Sequence, residues 1–242
     1  MFTDTHCHIL EEDYDNIDKV IKDAKDTGIH KMINNGSNRQ TSEEVLELSR
    51  KYDSLYGAIG IHPDSTEDFT KENLAFIEEH IHEVVAIGEI GLDYHYEGYD
   101  RETQLNLLEE QLKLAEKYSK PVIIHSRDAT LDTINTLKKF PAVKGSIHCF
   151  TGSLETAKIY LKMGYKLGFG GVTTFKNAKE IPLEAILFET DSPYLSPEPL
   201  RGTKNEPKNV LHIAKFISEV LGITLEDLSN ITEQNVHDLF DI

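Results

Sequence analysis

Eight short apolar runs alternate along this chain with longer amphipathic stretches, and that alternation restricts the fold more than any other feature. The runs are rich in Val, Ile and Phe, are bounded by Gly, Pro or His, and lie near residues 2–8, 30–35, 55–62, 84–92, 121–126, 145–150, 165–171 and 185–191. Their length and β-branched content predict strands. Helices are predicted between them, over about 16–27, 41–52, 71–80, 101–118, 128–139 and 153–163. The clearest runs from Arg101 to Tyr118, where Leu105, Leu108, Leu112 and Ala115 share one face. Gly28 and Gly164 stand where the first and sixth helices should end. A proline-bearing loop, Ser192 to Pro207, then leads to helices near 209–221 and 232–240. Eight strands in strict alternation with helices over 242 residues predict a single domain, residues 1–242, folded as a parallel (β/α)8 TIM barrel. A doubly wound open sheet is the runner-up. It would normally use fewer strands and often a Gly-rich phosphate loop, and neither G-x-G-x-x-G after a strand nor a Walker A motif occurs.

The acidic balance narrows the function. With 42 Asp and Glu against 25 Lys and Arg, the formal charge is −17. Coating of a polyanion needs many Lys or Arg contacts to phosphate, so a nucleic-acid role must come from one site rather than the whole surface. The longest apolar runs are too short for a bilayer, and MFTDTHCHIL lacks the basic start and apolar stretch of a signal peptide. Two cysteines, Cys7 and Cys149, make no disulfide framework. A cytoplasmic protein without a membrane role is expected, and a monomer fits a closed barrel.

In such a barrel the chemistry sits at the C-terminal ends of the strands. Strand one ends Asp4-Thr5-His6-Cys7-His8, so its two histidines share a face. Strand four ends in Glu89 to Asp93, strand five in His125-Ser126-Arg127, strand six in His148-Cys149, and strand eight in Glu189-Thr190-Asp191. Any one of these residues reads most simply as a hydrogen-bonded rim residue. Four histidines and two carboxylates at the same end of five strands read differently, because such groups are costly to bury unless paired or metal-bound. A catalytic zinc-like site takes about three protein ligands. Six ligands therefore suit two divalent ions with one carboxylate between them, at a spacing of roughly 3.5–4 Å. Four charges from the ions, less two from Glu89 and Asp191, would leave a pocket that attracts phosphate.

The segments DTHCHI, IGIHP, AIGEIGLDYH, PVIIHSRDA, IHCFTGS and ETDSPYLSPEPLRGTKNEP resemble, in order and spacing, the signature blocks of the TatD family of metal-dependent deoxyribonucleases. Thr232 to Asn235, with Leu239-Phe240, fits the closing pattern, so nearly the whole chain is covered. The HxH pair alone is shared with the wider amidohydrolase superfamily, where a carboxylated Lys can be the bridge; strand four offers Glu89 and no nearby Lys. The resemblance implies a barrel with a binuclear centre that cleaves DNA phosphodiesters using water activated by metal. By position, His6, His8 and Asp191 would hold one ion and His125 and His148 the other. Glu89 would bridge them, and Asp191 would also take or relay the proton. Zn, Mn, Ni, Co and Mg all suit this mixed nitrogen and oxygen set.

Other residues remain open between substrate and structure. His62, Arg127 and Tyr94 (with His95 beside it) are candidates for contact with phosphate or nucleotide, against a rim histidine, an ion pair and loop packing. Arg201 to Lys208 is the one modest basic cluster near the expected mouth. The acidic run Glu11 to Asp15 is expected to cap the first helix, and Cys7 and Cys149 to be buried packing residues. DNA, with RNA or tRNA as variants, is the expected substrate. The alternatives are hydrolysis of another ester or amide, such as the aminoacyl ester of tRNA, and an inactive metal- or nucleotide-binding barrel.

Overall fold

The computed structural model describes residues 1–98, 100–173 and 179–242. Its strands are β1 (Phe2–Cys7), β2 (Ile29–Asn35), β3 (Leu55–Ile59), β4 (Ala86–Asp93), β5 (Val122–Arg127), β6 (Gly145–Ile147), β7 (Lys166–Phe169) and β8 (Ile186–Phe188). They form one parallel sheet in chain order. Just beyond the named strands the seam between β1 and β8 closes: the His8 N–H donates to the Ser192 carbonyl at 2.7 Å and the Asp191 N–H to the His6 carbonyl at 2.9 Å. The result is the (β/α)8 barrel. Helices α1 (Ile17–Asp26), α2 (Arg39–Lys51), α3 (Lys71–Glu79), α4 (Arg101–Tyr118), α5 (Thr130–Leu137) and α6 (Leu154–Met163) follow successive strands, and α7 (Val210–Leu221) and α8 (Leu225–Phe240) complete the chain. No helix among the described residues is long and apolar enough to cross a membrane.

Alternation within strands sorts the core into two layers. Ile33, Ala58, Ala86, Ile123 and Leu187 cluster with Val236 and Phe240 of α8. Their strand neighbours Met32, Ile59, Ile87, Val122, Ile124, Ile186 and Phe188 pack with the outer helices. Strands buried on both faces need this near-continuous apolar content.

Three details differ from the sequence reading. Helix α8 begins at Leu225, seven residues before the predicted start, because the Thr224 hydroxyl accepts the Asp227 N–H and caps it there. Helix α1 is capped by Asn16, whose side chain accepts the Lys19 N–H, rather than by the acidic run before it. The third, sixth and eighth strands stop early, so His62, His148 and Asp191 lie in the first residues past sheet pairing.

Two buried glutamines of α4 tie the end of β4 and the loop after β3 to the scaffold. Gln104 accepts the Asp93 N–H at 3.0 Å and donates to the Asp93 carbonyl at 2.9 Å. Two turns further on, Gln111 does the same at Ile61, at 2.8 and 3.0 Å. Seven residues put both amides on one helix face. Each mimics a strand neighbour where none exists. A buried backbone group left without its partner costs roughly 1–3 kcal/mol. Gln111→Ala is therefore expected to destabilise the protein by about 2 kcal/mol or more, read as a lower urea midpoint at unchanged slope.

Candidate metal centre

Six side chains that lie far apart in the sequence converge at the C-terminal mouth. His6 and His8 bring their Nε2 atoms to 3.1 Å of each other. Glu89 Oε2 lies 3.4 Å from both, and Asp191 Oδ1 lies 3.4 Å from the first and 3.6 Å from the second. The other oxygen of the same carboxylate, Oε1, faces a second group: His125 Nδ1 and His148 Nε2, each at 2.9 Å and 3.0 Å apart. Ligand atoms about 2.0–2.1 Å from a tetrahedral ion stand roughly 3.3–3.4 Å from one another. The donor spacings here bracket that value, so the residues fit a divalent cation on either side of Glu89. Among the described residues, three overlapping sets of ligand atoms meet the distance requirement: His6, Glu89 and His148; His6, His8 and Asp191; and His62, Glu89 and His125.

Glu89 reaches this position through an irregularity. The β4–β5 register shifts between Ile87 and Ile90. Strict alternation from Ala86, which packs inside the barrel, would turn Glu89 outward; the shift brings Glu89 and Asp93 inward together. Asp93 Oδ2 then lies 3.0 Å from His125 Nε2, and the Asn35 carbonyl 2.9 Å from His8 Nδ1. Such outer partners fix which ring nitrogen faces a metal. Neither was picked out as functional from the sequence. Asp93 carries a readable signal, its parity with Glu89, whereas Asn35 acts through its backbone and leaves no signal at all.

The loop carrying Asp191 is held from behind. Asp4, fully buried, accepts the Thr190 N–H at 3.0 Å and the Thr190 hydroxyl at 2.5 Å. Asn205 donates to the carbonyls of Thr190 and Tyr194, at 2.8 and 2.7 Å. Asp191 itself takes a left-handed backbone, φ 56°.

Charge in the cluster is shared between carboxylates and imidazoles. Burial disfavours charge on His6 and His8, but Glu89 and Asp191 outweigh it, holding His6 well above its ordinary value and His8 at about 9. His62 rises to about 10 against the same burial, through Glu89 and Asp64. Burial drives His148 down to about 4, which keeps it neutral. Burial would also raise Asp191 and Glu89, yet the facing imidazoles hold both well below the usual carboxylate range. Protons thus stand where cations would, and metal uptake must displace them.

The remaining candidates separate. His62 lies in the cavity wall, its Nε2 3.5 Å from Glu89 Oε1 and its Nδ1 2.6 Å from Asp64. Tyr94 does not reach the cluster; its hydroxyl donates to Asp132 at 2.9 Å. His95 pairs with Asp128 at 2.9 Å. Arg127 is exposed, 5.2 Å over the Tyr96 ring, with its guanidinium donating to the Tyr96 hydroxyl at 3.2 Å. The basic loop is already paired: Arg201 with Glu198 at 3.5 Å, Lys204 on the Asp13 carbonyl, and Lys208 with Glu206 and Asp23 at 2.6 and 3.3 Å. Cys7 is buried, while Cys149 is half-buried.

The mouth is a cavity of about 280 Å³ whose wall also includes Glu12, Asp13, Ser37, Asn38, Asp64 and Tyr194. That lining changes the charge expected of the pocket. Two dications less Glu89 and Asp191 leave two positive charges, but Glu12, Asp13 and Asp64 remove three. A proton on His62 only restores the balance to zero. The pocket as a whole is not positive; only its floor would be.

A parallel barrel with histidines and carboxylates gathered at its C-terminal mouth is the architecture of a metal-dependent hydrolase. Residues 3–241 match the family described as TatD related DNase. The chain is 43% identical, over the full length of both, to the Bacillus subtilis protein named uncharacterized metal-dependent hydrolase YabD. Among solved structures, YjjV, a TatD homolog from Escherichia coli, superposes with a TM-score of 0.93 at 30% identity, covering 100% of this chain and 98% of that one. A TatD family hydrolase from Entamoeba histolytica gives 0.89 at 27% identity, covering 99% and 97%. The chain belongs to the TatD family of metal-dependent hydrolases.

The raised histidines set a pH trend for the metal-free protein. A group whose pKa is raised on folding adds stability that is complete below its unfolded value, 6.5 here, and is lost as pH climbs through the folded value. The melting temperature without metal is therefore expected to fall between pH 6.5 and 10. A divalent ion should flatten that slope, because it replaces the protons. Scanning calorimetry with and without chelator checks this, and a flat metal-free profile would contradict it.

Proposed function

We propose that this protein is a deoxyribonuclease that hydrolyses DNA phosphodiester bonds at a centre of two divalent ions. The observation that carries the reading is the Glu89 carboxylate, whose two oxygens face separate pairs of histidines at 2.9–3.4 Å. His6, His8 and Asp191 would hold one ion, His125 and His148 the other, with Glu89 between. Bound there, divalent ions supply Lewis acidity, lowering the pKa of water and offsetting charge on the phosphoryl oxygens. Asp191 stays ionised at neutral pH and lies in the cavity wall, placed to take the proton that water gives up. His62, braced by Asp64, offers a donor to a phosphate oxygen.

The acidic wall guides the strand. Glu12, Asp13 and Asp64 repel neighbouring phosphates on their side of the mouth. Arg127 and Tyr96 offer a cation and an exposed ring on the other, next to a polar cavity of about 230 Å³ that shares His148 with the main one. A nucleic acid would lie over the Arg127 side, with one phosphate dipping to the floor. The same acidic wall favours a second reading, hydrolysis of an ester whose acyl part carries an ammonium group, as an aminoacyl ester of tRNA does.

Two measurements decide between these. Metal-reconstituted protein should cleave DNA, and Asp191→Asn should lower turnover by roughly 10²–10⁴-fold while only weakening metal uptake; wild-type rates in that variant would remove Asp191 from the mechanism. The double variant Glu12→Gln, Asp13→Asn should lower KM for DNA several-fold. Loss of aminoacyl-ester hydrolysis in it, with DNA cleavage unimproved, would favour the second reading.

A further inference from the structure

Glu189 is a buried carboxylate that the reaction described above does not use. It follows β8, is 1% exposed, and runs across β7 to reach the chain after β6, where the Cys149 N–H donates to its Oε1. It can cross only because residue 168 is glycine: a Cβ there would stand 2.0 Å from Glu189 Oε2 and 2.6 Å from its carboxyl carbon. Burial pushes its carboxyl up to about 8, the mark of a charge poorly compensated where it lies. Facing it is an unsatisfied nitrogen: His148 Nδ1 is buried, has no hydrogen-bond partner among the described residues, and lies 3.8 Å from Glu189 Oε1.

The unpartnered nitrogen and the buried carboxyl answer one another once the tautomer of His148 is considered. As the structure stands, a ring proton on Nε2 has an acceptor in Glu89 Oε1 at 2.9 Å, whereas one on Nδ1 has no partner within hydrogen-bond distance among the described residues. Ligation through Nε2 requires its lone pair, and the proton must then sit on Nδ1. A shift of the ring by less than about 1 Å brings that N–H within hydrogen-bond reach of Glu189.

We propose that Glu189 is the positioning residue for His148, accepting a hydrogen bond from Nδ1–H and so fixing the tautomer that presents Nε2 to a cation. The role rests on the metal centre proposed above. It matches the partnership of Asp93 with His125 and of the Asn35 carbonyl with His8, and gives each of these three histidines an outer acceptor. Gly168 is the space that lets an acid from β8 serve a histidine after β6.

The test is cobalt titration of metal-free protein, following the ligand-field spectrum, for wild type, Glu189→Gln and Gly168→Ala. Wild type should take up two ions. Glu189→Gln should keep the affinity of one and lose roughly 10- to 100-fold at the other, the usual effect of removing an outer partner. Its metal-free melting temperature near pH 7 should be little changed, because the raised carboxyl is largely neutral there and Gln keeps its shape. A lower metal-free melting temperature with wild-type affinity for both ions would make Glu189 merely structural and overturn the inference alone. Failure of wild type to bind any ion would overturn the metal centre with it. Gly168→Ala, which displaces the carboxylate without removing it, should reproduce the affinity loss. In the zinc-loaded protein, nitrogen-15 spectra should show a protected Nδ1 proton on His148 that Glu189→Gln weakens; a bare Nδ1 in wild type would also overturn the inference.

Discussion

The structure turns on one carboxylate placed where none should be comfortable. Glu89 is 4% exposed at the centre of the mouth, with His6 and His8 on one oxygen and His125 and His148 on the other. A carboxylate so buried persists only among cations, whether protons on imidazole or divalent metals. That requirement explains the company around it. Each of the four histidines lies within 3.4 Å of one of its oxygens, and Asp191 restores a second negative charge on the side of His6 and His8.

Holding six such groups within a few ångströms needs a rigid surround, since ligand geometry tolerates little error. The barrel supplies it through side chains that act as backbone. Gln104 and Gln111 stand in for missing strand neighbours after β4 and β3, and Asn205 ties the Asp191 loop to Thr190 and Tyr194. Asp4 locks Thr190 across the seam where β1 meets β8. Each fixes a segment at or just past the end of a strand, and functional residues cluster there because sheet geometry dictates less of where their side chains point.

Electrostatics gives the mouth a direction. The floor is suited to cations and the wall formed after β1 and β3 is acidic, so under the proposed function a polyanion would approach from the side of Arg127 and Tyr96. The family resemblance speaks for DNA, but the acidic wall is what would decide how much of a nucleic acid the site admits. The basic loop from Arg201 to Lys208, attractive as a phosphate contact in the sequence, spends its charge on Glu198, Glu206, Asp23 and the Asp13 carbonyl.

Periodicity determined the barrel, because strands buried on both faces and helices buried on one leave distinct repeats that survive without coordinates. Residue type at strand ends, together with the six family blocks, determined which histidines and carboxylates to watch. Tertiary structure alone decided the rest. The register shift in β4 turns Glu89 inward, against simple alternation from Ala86. The early ends of β3, β6 and β8 put His62, His148 and Asp191 just past the named strands. Tyr94 is drawn to Asp132, and Glu189 passes over Gly168 toward His148. None of these is local. Each depends on which chemical group happens to lie across the barrel, at a distance along the chain that no repeat encodes.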